Sequence, residues 1–338
     1  MDKSRFTNGR TITEYISSAL DLYPPLSNDD LNLHAECGIS YASASSGILP
    51  ETGTALGNNY CMEKQVNFFN ETVETNLRPR FPSKYKLSEY LSDSIYVINI
   101  GTSDYIYNYL QPDHYNSSRK YSGEDYAELL TNTLGNNLKD LYNIGARKML
   151  VFQVGPLGCY PYVINKVKPS SRCAEDVNSL VSIFNYKLDV KLKELSEKLD
   201  GSAFVTARIF DLLKSMILRP SDYGFAETRW PCCVTPENGT GLCKGDQENL
   251  PPDLPRESAQ RGMQRQFSCM EVPPLKLNSN QSQIGKPVKY LCQERDFYLF
   301  FDELHMTQAA NKFIVNKCLN TTSEGACSPY GIYQLAEI

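Results

Sequence analysis

Asp302-Glu-Leu-His305 places a carboxylate three residues ahead of an imidazole. In a hydrolase that works through a serine, histidine takes the nucleophile's proton. A carboxylate on the second ring nitrogen fixes the tautomer and stabilises the imidazolium. Three residues of separation across a turn at a helix start can bring both side chains together. Two solvated residues of a surface loop fit the same pattern, so this motif alone leaves both readings open. The second candidate is Ile100-Gly-Thr-Ser-Asp-Tyr105. A nucleophile elbow needs G-x-S-x-G, whose second glycine gives the turn room. Tyr105 stands at that position, and the match fails where sterics matter. Ser103 can instead donate a hydrogen bond to a developing oxyanion, or close a structural Ser-Asp turn. Dinucleotide and nucleoside triphosphate fingerprints are absent, so no cofactor is expected.

The elements that would position these residues read as α/β. Two short apolar runs, residues 95–100 (IYVINI) and 149–154 (MLVFQV), each end at glycine and predict buried parallel strands. Between them, Tyr126, Leu129, Leu130, Leu134, Leu138 and Leu141 recur at helical spacing over residues 125–142, with Gly145 as C-cap. A second helix over 174–199 leads to a strand at 203–207, and a last helix begins near Thr307. Alternating β and α predicts a parallel sheet covered by helices, whose ligands sit in loops after strand C-termini. Gly101-Thr-Ser-Asp104 and Gly155-Pro-Leu-Gly158 are such loops, unless their glycines only punctuate strand ends.

Composition narrows the setting. Net charge is −5 and the pI near 5.4, so no basic surface for nucleic acid is expected. No run approaches a membrane span. The 11 cysteines form no C-x-x-C pair, and the 3 histidines are scattered. A structural metal site needs clustered ligands, so disulfides are expected and a metal is not. Asn70, Asn116, Asn238, Asn280 and Asn320 each begin an N-x-[ST] glycosylation triplet. Cysteines and sequons favour a secretory environment. The polar first ten residues lack the apolar core of a signal peptide, so either the protein is cytosolic after all or the chain begins downstream of its natural start. Residues 244–289 are polar and aperiodic and predict an insertion or disordered loop in an otherwise single domain over residues 1–338.

Five segments occur in order: Arg5-Phe-Thr-Asn-Gly-Arg-Thr11, Gly38-Ile-Ser-Tyr-Ala-Ser-Ala-Ser-Ser-Gly47, Leu91-Ser-Asp-Ser-Ile-Tyr-Val-Ile-Asn-Ile-Gly-Thr-Ser-Asp-Tyr105, Gly155-Pro-Leu-Gly-Cys159 and Phe301-Asp-Glu-Leu-His305. Together they resemble the plant GDSL esterase/lipase family, a branch of the SGNH hydrolases, from Arg5 to about Leu319. The resemblance implies a flavodoxin-like α/β/α sandwich with a mainly parallel sheet. It implies a secreted, N-glycosylated hydrolase of carboxylic esters, acting on a lipid or other acyl ester. Asp302 and His305 then hold the acid and base positions of a Ser-His-Asp triad. The family's nucleophile lies in a Gly-Asp-Ser block upstream of the R-F-[ST]-N-G-R-T motif, which begins here at Arg5. That block, the signal peptide and the first strand are therefore expected to be missing. Ser4 is no substitute, having no strand before it.

Two further departures concern the oxyanion hole. Ser103 stands where the family has asparagine, and the glycine of A-S-[AG]-G falls at Ser45, where any positive φ would strain a serine. Cys232-Cys233, Cys243 and Cys292 resemble the family's cysteine-rich stretch, and residues 244–289 look like added material. A truncated and partly mis-spliced product with ten structural cysteines and one stray, Cys269, is the resulting expectation. Besides the ester hydrolase, a non-catalytic secreted lipid- or carbohydrate-binding pseudoenzyme and an enzyme that recruits Ser103 remain open readings. Substrate identity and oligomeric state do not follow from the sequence.

Overall fold

Apolar runs and helix caps divide the chain much as its periodicity predicts. A computed structural model describes residues 6–27, 38–234, 290–322 and 325–338. The predicted insertion at 244–289, Asn238, Asn280, Cys243 and Cys269 lie outside the described residues.

Helix α1 (Ile12–Ala19) starts in a capping box, the Thr11 hydroxyl accepting from the Glu14 N–H and the Glu14 carboxylate accepting from the Thr11 N–H. Two-residue strands β1 (Leu26–Ser27) and β2 (Ile39–Ser40) pair in parallel. Next come α2 (Met62–Thr72), α3 (Lys84–Asp93), strand β3 (Ile95–Ile98), the single turn α4 (Thr102–Asp104), α5 (Ser117–Lys120) and α6 (Gly123–Ile144). Strand β4 (Lys148–Phe152), α7 (Pro161–Val167), α8 (Glu175–Lys198), β5 (Ala203–Ala207) and α9 (Ile209–Leu218) continue the alternation. A small antiparallel pair, β6 (Cys233–Val234) with β7 (Tyr290–Leu291), precedes α10 (Gln308–Cys318), β8 (Cys327–Ser328) and α11 (Ile332–Glu337).

The main sheet runs β3-β4-β5-β8. Its first three strands are parallel, and β8 closes one edge antiparallel. Every residue of β4 and β5 is buried, which is why both read as mainly apolar runs, broken only by Lys148 and Thr206, rather than alternating ones. Helices α6 and α8 pack on each other and supply most of their Leu, Val and Phe side chains to the one large core.

Boundaries differ from expectation by a few residues, for local reasons. The run at 149–154 leaves the ladder at Phe152, because Asn185 of α8 takes over Val154. Its side chain accepts from the Val154 N–H at 3.0 Å and donates to the Val154 carbonyl at 2.8 Å. The run at 95–100 likewise ends at Ile98. Helix α6 begins earlier than its first apolar residue because the Ser122 hydroxyl caps the Asp125 N–H. It ends at Gly145, whose φ of +136° and Leu91 contact leave no room for a side chain.

Three disulfides lie among the described residues: Cys159–Cys173, Cys232–Cys292 and Cys318–Cys327. The first joins residues 14 apart in sequence. The second spans 60 residues and on chain-entropy grounds stabilises the fold by about 4 kcal/mol. One expectation is corrected: Cys61, counted among ten structural cysteines, is a free thiol buried at the start of α2. It packs as a small apolar residue, a common fate for free cysteine.

Candidate active site

The loop from Leu299 to Thr307 is fastened at both ends. The Thr307 N–H donates to the Leu299 carbonyl at 3.0 Å, and its hydroxyl donates to the Tyr298 carbonyl at 2.7 Å while capping α10. From behind, Cys232 and Cys233 N–H groups donate to the Phe300 and Phe301 carbonyls at 3.0 and 2.7 Å. The Cys232–Cys292 bridge therefore stiffens the segment that delivers the next residue, Asp302.

Asp302 then folds the loop around its own carboxylate. Its Oδ1 accepts from the Leu304 and His305 N–H groups at 2.8 and 2.7 Å, a side-chain-to-backbone turn typical of aspartate. This turn is the physical meaning of the D-x-x-H spacing: it swings His305 back so that Nδ1 lies 2.9 Å from Oδ1 and 2.8 Å from Oδ2. The Asp302 side chain is 4% exposed and that of His305 43%. A buried carboxylate so placed holds the proton on Nδ1 and leaves Nε2 as the basic nitrogen. A pair of solvated loop residues does not fit this geometry.

Ser103 and Ser45 belong to a second cluster. Ser103 lies on α4, after the β3 strand end, and Ser45 has a φ of +59°, the left-handed conformation that glycine adopts without strain. Asp104 ties the two segments together. Its Oδ2 accepts from the Ile48 N–H at 2.8 Å, and its Oδ1 from the Leu49 N–H and the Thr52 hydroxyl at 3.1 and 2.7 Å. A Cβ on Gly47 would lie 2.5 Å from Asp104 Oδ1, so glycine is required there by close approach. Asn108 extends the network by donating to the Thr52 hydroxyl at 3.0 Å and accepting from the Ser117 hydroxyl.

Tyr107, four residues after Ser103, feels the charges of Asp302 and Glu303. Burial first, then Tyr162 and those two carboxylates, hold its phenol above the ordinary tyrosine range. The segment that follows α4 thus approaches the Asp302 loop. Neither Ser103 nor Ser45 makes a side-chain hydrogen bond to His305 among the described residues.

Sequence reasoning missed two site residues. In sequence Asp104 reads only as part of a turn, and the signal for its role is an acid shortly after a buried strand and its glycine. Phe6, stacked on His305 at 4.6 Å between ring centroids, stands in the R-F-[ST]-N-G-R-T segment, but nothing in that segment pointed to the imidazole.

Asp104 carries a pH prediction. Complete burial outweighs its three donors and pushes its carboxyl up to about 6. Because the folded value exceeds the ordinary aspartate value, this group favours the fold fully below about pH 4. That contribution, about 3 kcal/mol, is lost as pH rises through 6. Urea unfolding of the parent at pH 4 and pH 7 should show this fall, and Asp104→Asn should flatten it. An equal pH slope in both proteins would contradict the assignment.

Among the described residues no cluster of His, Cys, Asp or Glu could hold a metal, and no helix is long and apolar enough to cross a membrane. Asn70, Asn116 and Asn320 are exposed, on α2, before α5 and after α10. A cavity of about 500 Å³ between α2, α3 and α6 is lined by Asn70, Glu74 and Arg78 and holds none of the site residues.

A mainly parallel α/β sheet here carries, on a loop, a histidine whose Nδ1 faces a buried carboxylate. The chain belongs to the GDSL-like Lipase/Acylhydrolase family, whose model matches residues 1–318. It is 36% identical to GDSL esterase/lipase 7 of Arabidopsis thaliana, over 99% of this chain and 82% of that protein. GDSL esterase/lipase At5g37690 of the same plant is also 36% identical, over 71% of this chain and 67% of its own length. GDSL esterase/lipase At1g29660 is 29% identical over 99% and 81%. Family membership supports ester hydrolysis as the function.

Proposed function

We propose that the protein belongs to an acyl-transfer machinery for carboxylic esters in which His305 is the general base and Asp302 the residue that orients it. The supporting observation is the contact of His305 Nδ1 with both oxygens of a buried Asp302. A serine attacks the ester carbonyl and His305 Nε2 takes its proton. The tetrahedral oxyanion faces the Ser103 side chain and backbone N–H groups near Ser45. His305 returns the proton to the leaving alcohol, and water then releases the acyl group by the same sequence. The nucleophile is a serine of the Gly-Asp-Ser block that the resemblance sets ahead of Arg5. These 338 residues contain no Gly-Asp-Ser triplet.

An extracellular site of action and N-glycosylation at exposed Asn70, Asn116 and Asn320 belong to the same proposal. The three disulfides support it, since such bonds persist in oxidising compartments.

Hydrolysis of p-nitrophenyl butyrate tests the assignment, with the 338-residue chain beside a form carrying a strand and Gly-Asp-Ser block ahead of Arg5. Turnover is expected only in the extended form. Turnover by the 338-residue chain that His305→Ala abolishes and Ser103→Ala does not would move the nucleophile elsewhere in the chain. No turnover in either form would favour the non-catalytic, ligand-binding reading.

A further inference from the structure

The segment Phe6–Arg10 runs across the start of α10 and is fastened to it at several points. Asn8, 7% exposed, accepts from the Gln308 N–H at 2.8 Å and donates to Asp296 Oδ1 at 3.3 Å. Gln308 donates to the same Asp296 oxygen at 3.2 Å, and Asn311 donates to the Arg10 carbonyl at 3.1 Å. Beyond the segment, α1 packs against α10. These bonds fix where the segment begins, and there the Phe6 ring lies over the imidazole of His305. The centroids are 4.6 Å apart and the planes 24° from parallel.

We infer that residues 6–10 form a strap whose Phe6 ring is a positioning residue for His305. Asp302 holds one edge of the imidazole through Nδ1, but an edge contact alone leaves the ring free to rock about its Cβ–Cγ bond. A stacked ring restricts that rotation, because turning the imidazole out of plane breaks the stack. It also covers one face of a side chain that, with the ring in place, is 43% exposed. An aromatic face accommodates the cationic imidazolium as well as the neutral ring, so the contact persists through proton transfer. Asn8 acts one step further out, setting the height of the strap on α10.

The chain's 3 histidines make the test practicable by NMR of ring-labelled histidine in the 338-residue protein. His34→Gln and His114→Gln assign the signals. The His305 ring protons are expected upfield, displaced by the Phe6 ring current, with a slowly exchanging Nδ1–H bonded to Asp302. Phe6→Ala should abolish the upfield displacement and broaden the Nδ1–H signal. It should also speed carbethoxylation of His305 by diethyl pyrocarbonate while leaving His114 unchanged. Phe6→Tyr should restore all three. If Phe6→Ala does not fold, Phe6→Leu keeps bulk without a ring and should still lose the displacement. A displacement that is absent in the parent or survives loss of the ring overturns the strap. So does an Nδ1–H signal indifferent to the substitution. The inference rests on His305 as the proposed base, but none of these readouts needs turnover. Failure of the ester assay alone would therefore leave the strap standing.

Discussion

His305→Ala, introduced into the form extended by a Gly-Asp-Ser block, is expected to lower kcat for p-nitrophenyl butyrate by about 10⁶-fold, as loss of the base does in other serine hydrolases. KM should change little, because the imidazole acts on the proton in flight rather than on ground-state binding. Asp302→Asn should cost about 10⁴-fold, for a different reason. An asparagine oxygen can still accept the Leu304 and His305 N–H groups that Asp302 Oδ1 accepts, so the loop keeps its shape. Its amide then faces Nδ1 as a donor and forces the proton to the wrong ring nitrogen. Circular dichroism and the melting temperature should stay near parental while kcat collapses. Should Asp302→Asn retain near-parental kcat, the orienting role would fall, whatever His305 does.

The second large effect is at Ser103. A hydroxyl on a short side chain is a freer donor than the asparagine amide that the resemblance sets at this position, and the proposed oxyanion role makes that difference measurable. Ser103→Ala is expected to lower kcat in the extended form by about 10²-fold, the usual cost of one oxyanion donor. Ser103→Asn should raise kcat by about 10-fold or more. No side-chain hydrogen bond of Ser103 is present among the described residues, so the larger amide displaces no existing partner. The two substitutions separate the roles. A nucleophile would be lost in both, whereas an oxyanion donor is lost in one and improved in the other.

Much of this site was legible from residue types. Continuous burial made the apolar runs at 149–154 and 203–207 readable, and the last helix was readable from near Thr307, whereas the caps at Thr11 and Ser122 that open α1 and α6 went unread. Asp302 and His305 were readable because an aspartate turn is a local structure, set by two backbone N–H groups within three residues. What stayed hidden was long-range. Asp104 reaches Ile48 and Leu49 across more than fifty residues, and Phe6 meets His305 across almost three hundred. Neither contact leaves a periodic trace, because each is a single side chain meeting a distant loop. Cys61 shows the same limit from the other side: parity can count thiols but cannot say which one lies buried away from a partner.

Identifying the serine that a fluorophosphonate labels, by peptide mass spectrometry, tests the central assignment most directly. The account predicts one modified serine in the extended form, inside the Gly-Asp-Ser block and dependent on His305, and none in the 338-residue chain. Labelling of Ser103, or of any serine in the 338-residue chain in a His305-dependent way, would contradict it.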